Sequence, residues 1–231
     1  EKEADFTASD IRYVSQPDFV GTEFHISGKY DMEVRLGIPG LFNVVNALAA
    51  VSVCSFLGLD QARISHALEN IRVNGRMEIV YTSERCTVLV DYAHNAVSME
   101  SLLSTLRDYK PKRLVCVFGC GGNRSKDRRY SMGEIGGKMA DLSIITADNS
   151  RYEKVEDIIA DIRGSIEKTG GKFIEIPDQK EAITYSITHA EPGDMIAIIG
   201  KGHEDYQEIG GVRYPMEDKE LVKKAAEGRG R

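Results

Sequence analysis

The pattern of apolar and polar positions divides the chain into a shorter first part and a longer second part. In the first part, short apolar runs such as 24–27 and 30–36 are separated by glycine, proline and aspartate, which predicts β strands. Because an isolated hairpin is only marginally stable in water, we expect these few strands to belong to a sheet with further strands.

Two helices are predicted after these strands. Residues 44–57 are apolar nearly all round, so we expect this helix to be buried. Asp60 is a good capping residue, and apolar side chains at helical spacing follow it to about Ile71. Asn43 can be read as a helix-start residue, whereas Asn46 lies one turn further along an apolar face, where a buried amide needs hydrogen-bond partners.

The run Val73-Asn74-Gly75-Arg76 is typical of a turn or linker, and we place a domain boundary there, giving domains 1–72 and 73–231. Beyond it, short apolar runs alternate with segments of helical periodicity. This alternation predicts an α/β, Rossmann-like fold, in which helices cover both faces of a mainly parallel, twisted sheet. Two runs around Gly210-Gly211 predict a hairpin near one edge of the sheet. The predicted strands are 77–82, 87–90, 114–118, 142–146, 172–176 and 195–199, and the predicted helices are 96–109, 130–140, 154–168, 178–190 and 218–226.

Dense polar clusters follow four of the predicted strands. In a fold of this class, ligands bind outside the carboxyl ends of the strands, so these clusters predict a small-molecule site. The four clusters are Asp91-Tyr92-Ala93-His94, residues 119–129, Asp148-Asn149-Ser150-Arg151 and Gly200-Lys201-Gly202-His203-Glu204.

The second cluster combines a strand, a glycine turn and a helix, an arrangement that directs backbone N–H groups toward an anion. It is not a dinucleotide fingerprint, because Arg124 stands where a third glycine would let helix and strand pack closely. A solvated helix surface is the favoured reading of Arg128 and Arg129, so we leave both out of the site. For Lys201 and His203 a solvated loop stays open as an alternative.

Composition and charge narrow the classes of function. Of the 231 residues, 42% are apolar and 29% are charged, as in soluble globular proteins. The formal net charge of -6 argues against nucleic-acid binding, which needs a basic surface. No apolar stretch is long enough to span a bilayer, so no membrane partner is expected. The four cysteines lack CxxC spacing, and we expect reduced, buried thiols of a cytoplasmic protein and no metal site.

Six short motifs combine glycine, asparagine, arginine, histidine and acidic residues. They are Phe42-Asn43-Val44-Val45-Asn46, Gly75-Arg76-Met77-Glu78, Asp91-Tyr92-Ala93-His94, Gly119-Cys120-Gly121-Gly122-Asn123-Arg124, Asp148-Asn149-Ser150-Arg151 and Gly200-Lys201-Gly202-His203-Glu204. In this order they resemble the C-terminal part of the Mur ligases, the ATP-dependent amide ligases that build the peptidoglycan stem peptide. The resemblance covers nearly the whole chain and is strongest to the ligase that adds the third residue.

The resemblance implies a reaction and a set of partners. ATP phosphorylates the D-glutamate carboxylate of UDP-N-acetylmuramoyl-L-alanyl-D-glutamate, and the amine of the incoming amino acid attacks the acyl phosphate. ATP and Mg²⁺ are the implied cofactors. In this family, an arginine at the end of the Asp-Asn-x-Arg motif goes with the use of meso-diaminopimelate. This sequence has that arginine, Arg151. The implied nucleotide-binding residues are Asn43, Asn46, Arg76, Asp91 and His94, and the implied amino-acid-binding residues are Arg124, Asp148, Asn149, Arg151, Gly200 and Glu204.

Two departures from the family pattern bear on this expectation. Ser150 stands where the motif usually has proline, so the fixed φ of proline is lost from that loop. No P-loop GxxxxGK[ST] occurs in the sequence. The P-loop, the carbamylated lysine, most Mg²⁺ ligands and the uridine-nucleotide domain would therefore precede residue 1. Residues 1–72 would be the end of the central ATP-binding domain, residues 73–231 the C-terminal domain, and the chain alone would be inactive.

Three alternatives stay open. A lysine-adding ligase of the same family would share most of these residues. A folate or cyanophycin-type ligase would share Asn43, Arg76 and Asp91, but would not be expected to carry the last two motifs. A non-catalytic Rossmann-like binding module would bind a nucleotide or a protein without any amino-acid preference.

Overall fold

The computed structural model describes residues 4–16 and 18–228, which form two compact units divided between Val73 and Asn74. The division lies one residue beyond the position predicted from the sequence. The elements of the first unit are β1 (Phe6–Gln16), β2 (Phe19–Gly28), β3 (Met32–Leu36), α1 (Leu41–Phe56) and α2 (Gln61–Asn70). Those of the second unit are β4 (Glu78–Thr82), β5 (Cys86–Asp91), α3 (Ala96–Asp108), β6 (Arg113–Phe118), α4 (Lys126–Met139), β7 (Leu142–Ile145), α5 (Val155–Thr169), β8 (Phe173–Glu175), α6 (Gln179–Thr188), β9 (Asp194–Ile199), β10 (Tyr206–Ile209), β11 (Val212–Pro215) and α7 (Asp218–Gly228).

The first unit packs an antiparallel sheet against two helices. The sheet has the order β1-β2-β3, and in the described part of the chain no further strand pairs with it. Phe24 and Val34 of the sheet share a buried core with Val51 of α1 and Leu68 of α2. Asp60 caps α2 as predicted, since its carboxylate accepts a 3.0 Å hydrogen bond from the backbone N–H of Arg63.

The predicted burial of α1 is wrong for most of its surface. Val44 and Val51 are buried, but Val53 and Phe56 are exposed. Asn46 is exposed as well, and its amide bonds to the neighbouring asparagine side chain instead of lying in a core. The apolar pattern of a helix shows which of its side chains are hydrophobic. It does not show how many of them pack against other elements of the same unit. Here a single stripe of the helix packs onto the three-stranded sheet.

The second unit is the predicted α/β fold. Its sheet has the order β4-β5-β9-β6-β7-β8, and every neighbouring pair is parallel except β4 with β5. Successive residues of a strand point to opposite faces. Val115 and Val117 pack with Ile183 of α6 and Val222 of α7. Phe118 points to the other face and meets α4, where a Cβ on Gly136 would lie 3.0 Å from its ring.

Two elements differ from their prediction. Helix α4 begins at Lys126, four residues earlier than predicted, because the Ser125 hydroxyl accepts a hydrogen bond from the N–H of Asp127 and caps the helix. The hairpin of β10 and β11 forms its own two-stranded sheet and is not hydrogen-bonded as a further strand pair to the six-stranded one. It is held to the loop after β7, where the N–H of Arg151 donates a 3.0 Å hydrogen bond to the carbonyl of Glu208.

Most of the thiols are buried, as the sequence predicts. Cys86, Cys116 and Cys120 are buried, Cys54 is partly buried, and all four are free. Burial raises the pKa of Cys120 to about 12, so this thiol stays protonated at neutral pH. Of the helices that the structure describes, none is long and apolar enough to cross a membrane.

Candidate functional site

The four polar clusters meet at one edge of the sheet. Strands β5, β9, β6 and β7 are parallel neighbours, so the loops that follow them emerge side by side. A cavity of about 220 Å³ opens between these loops. Seven predicted site residues line it: His94, Arg124, Asp148, Asn149, Arg151, Gly200 and Glu204. The other lining residues are Tyr92, Gly119, Cys120, Gly121 and Arg128.

Asn149 connects the loop after β7 to two other segments. Its side chain is only 6% exposed. The amide nitrogen donates a 2.8 Å hydrogen bond to Oε2 of Glu204, and the amide oxygen accepts a 2.8 Å bond from the N–H of Glu208. Both ends of the amide are therefore used within the protein, and the Glu204 carboxylate is held in one orientation.

The loop that carries Arg151 is hydrogen-bonded at several points, although Ser150 replaces proline. Ser150 is buried, and its carbonyl accepts a 3.0 Å hydrogen bond from Glu153. Arg151 has a positive φ of 51° and exchanges backbone hydrogen bonds with the β10–β11 hairpin. Its Nη1 donates a 2.8 Å bond to the carbonyl of Gly122. These contacts provide the order that a proline ring would otherwise impose.

The glycine turn after β6 needs glycine because it touches this loop. The N–H of Gly122 donates a 2.9 Å bond to the carbonyl of Asn149, and a Cβ on Gly122 would lie 1.9 Å from the carbonyl oxygen of Ser150. The next residue, Asn123, has a positive φ of 54°. Its side-chain oxygen accepts a 3.1 Å bond from the N–H of Tyr152, and its own N–H donates to Glu153. The loop after β7 thus holds the turn that carries Arg124 in place.

The solvated reading is wrong for Arg129, and Arg128 differs from it in its surroundings. Arg129 is 1% exposed. Its Nη2 donates to both carboxylate oxygens of Glu153, at 2.7 and 2.8 Å, and its Nη1 donates a 2.9 Å bond to Asp161, which ties α4 to α5. Arg128 is half-buried and lines the cavity. Its place directly after the glycine turn that follows β6 is the sequence signal that could have marked it, since such a turn lies at the ligand-binding edge of the sheet.

The loop after β9 has a buried lysine at its centre. Gly200 has a φ of 123°, and its N–H donates a 3.1 Å bond to the carbonyl of Asp91, which joins this loop to β5. Lys201 is 1% exposed, so the solvated reading is wrong for it, whereas His203 is exposed. The ammonium of Lys201 donates a 3.2 Å bond to the carbonyl of Met216, and burial lowers its pKa.

Two carboxylates near this lysine have perturbed pKa values. Burial raises the pKa of Asp148, and the negative charge of Glu204 adds to the effect. Burial also raises the pKa of Asp218 to about 7, although the positive charge of Lys201 lowers it. Asp218 accepts a 3.1 Å hydrogen bond from Gln179. The acidic side of the site therefore lies in a poorly solvated region.

Asp91 organises the chain on both sides of β5. Its two carboxylate oxygens accept 2.7 Å bonds from the N–H groups of Met77 and Ala93, and burial raises its pKa. Arg76 precedes the first of these residues and lies 4.9 Å above the ring of Tyr92. Its predicted contact with a ribose or phosphate, like that of Asp91, stays a prediction.

Tyr92 is a site residue that the sequence did not single out. Its hydroxyl donates a 3.4 Å bond to Oε1 of Glu204, and its ring lies 4.9 Å from that of His94 and 5.1 Å from that of His203. The Nδ1 atom of His94 lies 2.9 Å from the carbonyl oxygen of Tyr92. Tyr92 therefore connects the residues predicted to bind nucleotide with those predicted to bind the amino acid.

Asn43 and Asn46 belong to the first unit. On α1 they form a local pair, in which Asn46 donates a 3.2 Å bond to the side-chain oxygen of Asn43. Asn43 donates a 2.7 Å bond to the carbonyl of Pro39. Their predicted contact with an adenine stays a prediction.

The cavity combines groups of both charges. Arg124, Arg128 and Arg151 can bind carboxylates, and Asp148 and Glu204 can bind an ammonium group. This combination suits a zwitterionic amino acid. Over residues 4–16 and 18–228, no three side chains of His, Cys, Asp or Glu form a group that could hold a metal ion.

Comparisons with known proteins place the chain in a family. Residues 75–202, more than half of the chain, match the family model described as Mur ligase, glutamate ligase domain. The UDP-N-acetylmuramoyl-L-alanyl-D-glutamate–2,6-diaminopimelate ligase of Caldanaerobacter subterraneus subsp. tengcongensis is 44% identical over 191 residues, which are 83% of this chain and 40% of the relative. The enzyme of the same name from Alkaliphilus oremlandii is 39% identical over 231 residues, 99% of this chain and 47% of the relative.

A solved structure agrees with these matches. A structure described as a UDP-N-acetylmuramoyl-L-alanyl-D-glutamate–2,6-diaminopimelate ligase superposes with a TM-score of 0.78 at 33% identity, covering 100% of this chain and 47% of that one. The chain thus spans less than half the length of the relatives that it matches. Matched in sequence and in fold, it belongs to the Mur ligase family.

Proposed function

We propose that this chain is the C-terminal part of an ATP-dependent ligase that adds meso-diaminopimelate to UDP-N-acetylmuramoyl-L-alanyl-D-glutamate, in the cytoplasm. The observation that carries the proposal is the cavity at the strand ends, where Arg124 and Arg151 lie with a Glu204 carboxylate oriented by Asn149. The relatives named above, whose names contain UDP-N-acetylmuramoyl-L-alanyl-D-glutamate and 2,6-diaminopimelate, support it.

In this proposal the chain binds and orients the attacking amino acid. Arg124 and Arg151 hold its carboxylates through charge-assisted hydrogen bonds, and Asp148, Glu204 and the backbone of Gly200 hold an ammonium group. The amine that attacks the acyl phosphate must be neutral. We assign the acceptance of its proton to the acidic residues on the buried side of the cavity. Orientation of the amine toward the acyl phosphate supplies much of the rate acceleration in a reaction of this type.

ATP supplies the phosphoryl group that activates the D-glutamate carboxylate. Among the residues that could hold it, Arg76 fits best, because it is exposed and lies over the ring of Tyr92 with its charge available to a phosphate. His94 is the other proposed nucleotide contact of the second unit, and Asp91 shapes the backbone next to it. Asn43 and Asn46 are the proposed adenine contacts of the first unit. We assign the P-loop and the Mg²⁺ ligands to the rest of the complete ligase, since this chain covers 40% and 47% of the two relatives named above.

The test compares the complete ligase with the chain itself. In the complete enzyme, phosphate release from ATP should require both UDP-N-acetylmuramoyl-L-alanyl-D-glutamate and meso-diaminopimelate. Purified 1–231 should release no phosphate under the same conditions, because it lacks a P-loop to hold the β- and γ-phosphates. A complete protein that binds nucleotide but never releases phosphate would support a binding module instead, and equal use of L-lysine would support the lysine-adding ligase.

A further inference from the structure

Lys201 is a buried cation next to the acidic side of the cavity, and the proposed function assigns it no role. Its side chain is 1% exposed, and it does not line the cavity. Removing an ammonium group from water is unfavourable unless nearby groups compensate for the lost hydration. The groups around Lys201 should therefore show what its charge interacts with.

Backbone hydrogen bonds hold this ammonium group in place. Its Nζ donates a 3.2 Å bond to the carbonyl of Met216, and the N–H of Met216 donates a 2.8 Å bond to the carbonyl of Asp205. The carbonyl of Lys201 accepts a 2.9 Å bond from the N–H of Glu204. The lysine and the Glu204 carboxylate therefore belong to one hydrogen-bonded turn, and the segment before α7 fixes the position of the charge.

Acidic groups act on this charge from three segments of the second unit. They are Asp148 after β7, Glu204 and Asp205 after β9, and Asp218 of α7. Burial lowers the pKa of Lys201, whereas these negative charges raise it. The Asp148 carboxylate lies against the backbone that precedes the lysine, because a Cβ on Gly200 would lie 3.3 Å from its Oδ2. One buried cation thus faces four acids.

Two of these acids depend little on the lysine. Oδ1 of Asp218 accepts a bond from Gln179, but Oδ2 is buried and has no hydrogen-bond partner among the described residues. A buried carboxylate oxygen without a partner favours the protonated, neutral form. Asp205 is exposed, so water screens its charge. Below neutral pH the lysine therefore acts mainly on Asp148 and Glu204, the two acids that line the cavity.

We propose that Lys201 is a positioning residue that keeps Asp148 and Glu204 ionised, the form in which they bind an ammonium group of the incoming amino acid. This rests on the proposed function. A neutral carboxyl group binds a cation weakly, and two acids that share a poorly solvated site tend to retain a proton. The charge of Lys201 opposes that tendency without touching the substrate. The other titratable groups that face the two acids are Arg151, Cys120 and Tyr92.

The experiment measures how the KM of the complete ligase for meso-diaminopimelate depends on pH. In the wild type, KM should rise below the pH at which the two acids take up a proton. Lys201→Met removes the positive charge, so this rise should begin about one pH unit higher. On the acid side, KM should then be about tenfold larger than in the wild type at the same pH.

Two variants are matched controls. Asp218→Asn changes another buried group of the same network. Because Asp218 already holds its proton below a pKa of about 7, the acid-side rise in KM should move by less than about 0.3 pH unit. Lys172→Met removes the charge of an exposed lysine that does not line the cavity, and should give the wild-type profile.

Three results would overturn this assignment. A folded Lys201→Met enzyme whose KM rises at the same pH as in the wild type would show that its charge does not act on the two acids. An equal displacement in Asp218→Asn would reveal a general loosening of the network. A raised KM for ATP alone would place the charge of Lys201 on the nucleotide.

These results differ from failure of the proposed function. In that case the wild-type ligase itself would show no phosphate release that depends on diaminopimelate at any pH. Melting temperatures identify variants that do not fold. Should Lys201→Met be one of them, Lys201→Gln takes its place, because its amide can still donate to the carbonyl of Met216, and the same displacement is expected.

Discussion

The side-chain amide of Asn149 donates a 2.8 Å hydrogen bond to the carboxylate of Glu204, and this bond joins the loop after β7 to the loop after β9. The same amide accepts a bond from the N–H of Glu208 in the β10–β11 hairpin. One buried side chain therefore holds three segments in register around the cavity. An acidic group oriented in this way is ready to accept an ammonium group without rearranging first.

Asn149→Ala should destabilise the second unit by about 1–3 kcal/mol, because it leaves the N–H of Glu208 and the carboxylate of Glu204 without their partner. The free energy of unfolding from urea titration measures this loss. Asn70→Ala, at an exposed helix end, is the control and should cost less than about 0.5 kcal/mol. Equal effects of the two changes would show that the amide of Asn149 does not hold the loops together.

Gly122→Ala should destabilise the protein by several kcal/mol, on the order of a strongly disrupted core position. The added Cβ would lie 1.9 Å from the carbonyl oxygen of Ser150, so the turn and the loop after β7 must separate. Gly164→Ala is a matched control inside α5, where a Cβ meets nothing within 4 Å. That change should stabilise by about 0.5–1 kcal/mol, since glycine is a poor helix former. Thermal unfolding of the two variants tests the contrast, and a tolerated Gly122→Ala would disprove the close contact.

The elements and the position of the site could be predicted because they depend on local pattern. Short apolar runs that alternate with helical periodicity identify a parallel sheet, and ligands bind at the carboxyl ends of its strands. The start of α4 was missed because its cap is Ser125, a single residue inside a polar stretch with no apolar periodicity. A capping hydroxyl followed by charged residues is a weak signal when the helix behind it has little apolar character.

The sequence could not predict which individual polar side chains are buried. Arg128 and Arg129 are adjacent and identical in type, yet one lines the cavity and the other pairs with Glu153 and Asp161. The difference depends on the rotation of α4 against α5, which is a tertiary property. For Lys201, burial depends likewise on the segment before α7, where the Met216 carbonyl accepts a hydrogen bond from its ammonium group only in the folded chain.

The stability of the protein should depend on pH through Asp218. Its pKa is raised from 3.8 to about 7 by burial, so the folded protein holds a proton that the unfolded chain releases between these values. The contribution of this group to the free energy of unfolding therefore decreases as pH rises from about 4 to 7 and is lowest above 7. The charged groups that face it are Lys201, Asp148, Glu204 and Glu217.

Asp218→Asn should remove this dependence. Asparagine cannot ionise, and its side-chain oxygen can still accept the bond from Gln179. The variant should gain stability relative to wild type as pH rises from 4 to 8, by about 1–4 kcal/mol. Urea unfolding at several pH values measures the difference, and Asp108→Asn, at an exposed position, controls for the loss of one negative charge. A difference that is flat with pH would mean that Asp218 is ionised throughout.

The last prediction concerns Arg151 and the identity of the third residue. Meso-diaminopimelate carries a carboxylate beside its second ammonium group, whereas L-lysine has the ammonium alone. A guanidinium held at a fixed point favours the first and repels the second, which typically costs several kcal/mol when the charges are desolvated. The Arg151 guanidinium donates to the carbonyl of Gly122, and its Nε lies 3.5 Å from Oε2 of Glu208, so these two contacts position its charge in the cavity.

In the complete ligase, wild type should therefore use meso-diaminopimelate with a kcat/KM at least about a hundredfold above that for L-lysine. Arg151→Ala should reduce the value for meso-diaminopimelate by a similar factor and leave the value for L-lysine unchanged or higher. In Arg151→Lys, the lysine must adopt the same positive φ of 51° and keeps the charge but lacks the two-pronged guanidinium. This variant therefore separates the effect of losing the guanidinium from the effect of backbone strain in the loop. Comparable kcat/KM values for the two amino acids in the wild type would refute the assignment. So would an Arg151→Ala enzyme that uses meso-diaminopimelate as well as the wild type does, because a contact that selects the substrate cannot be removed without cost.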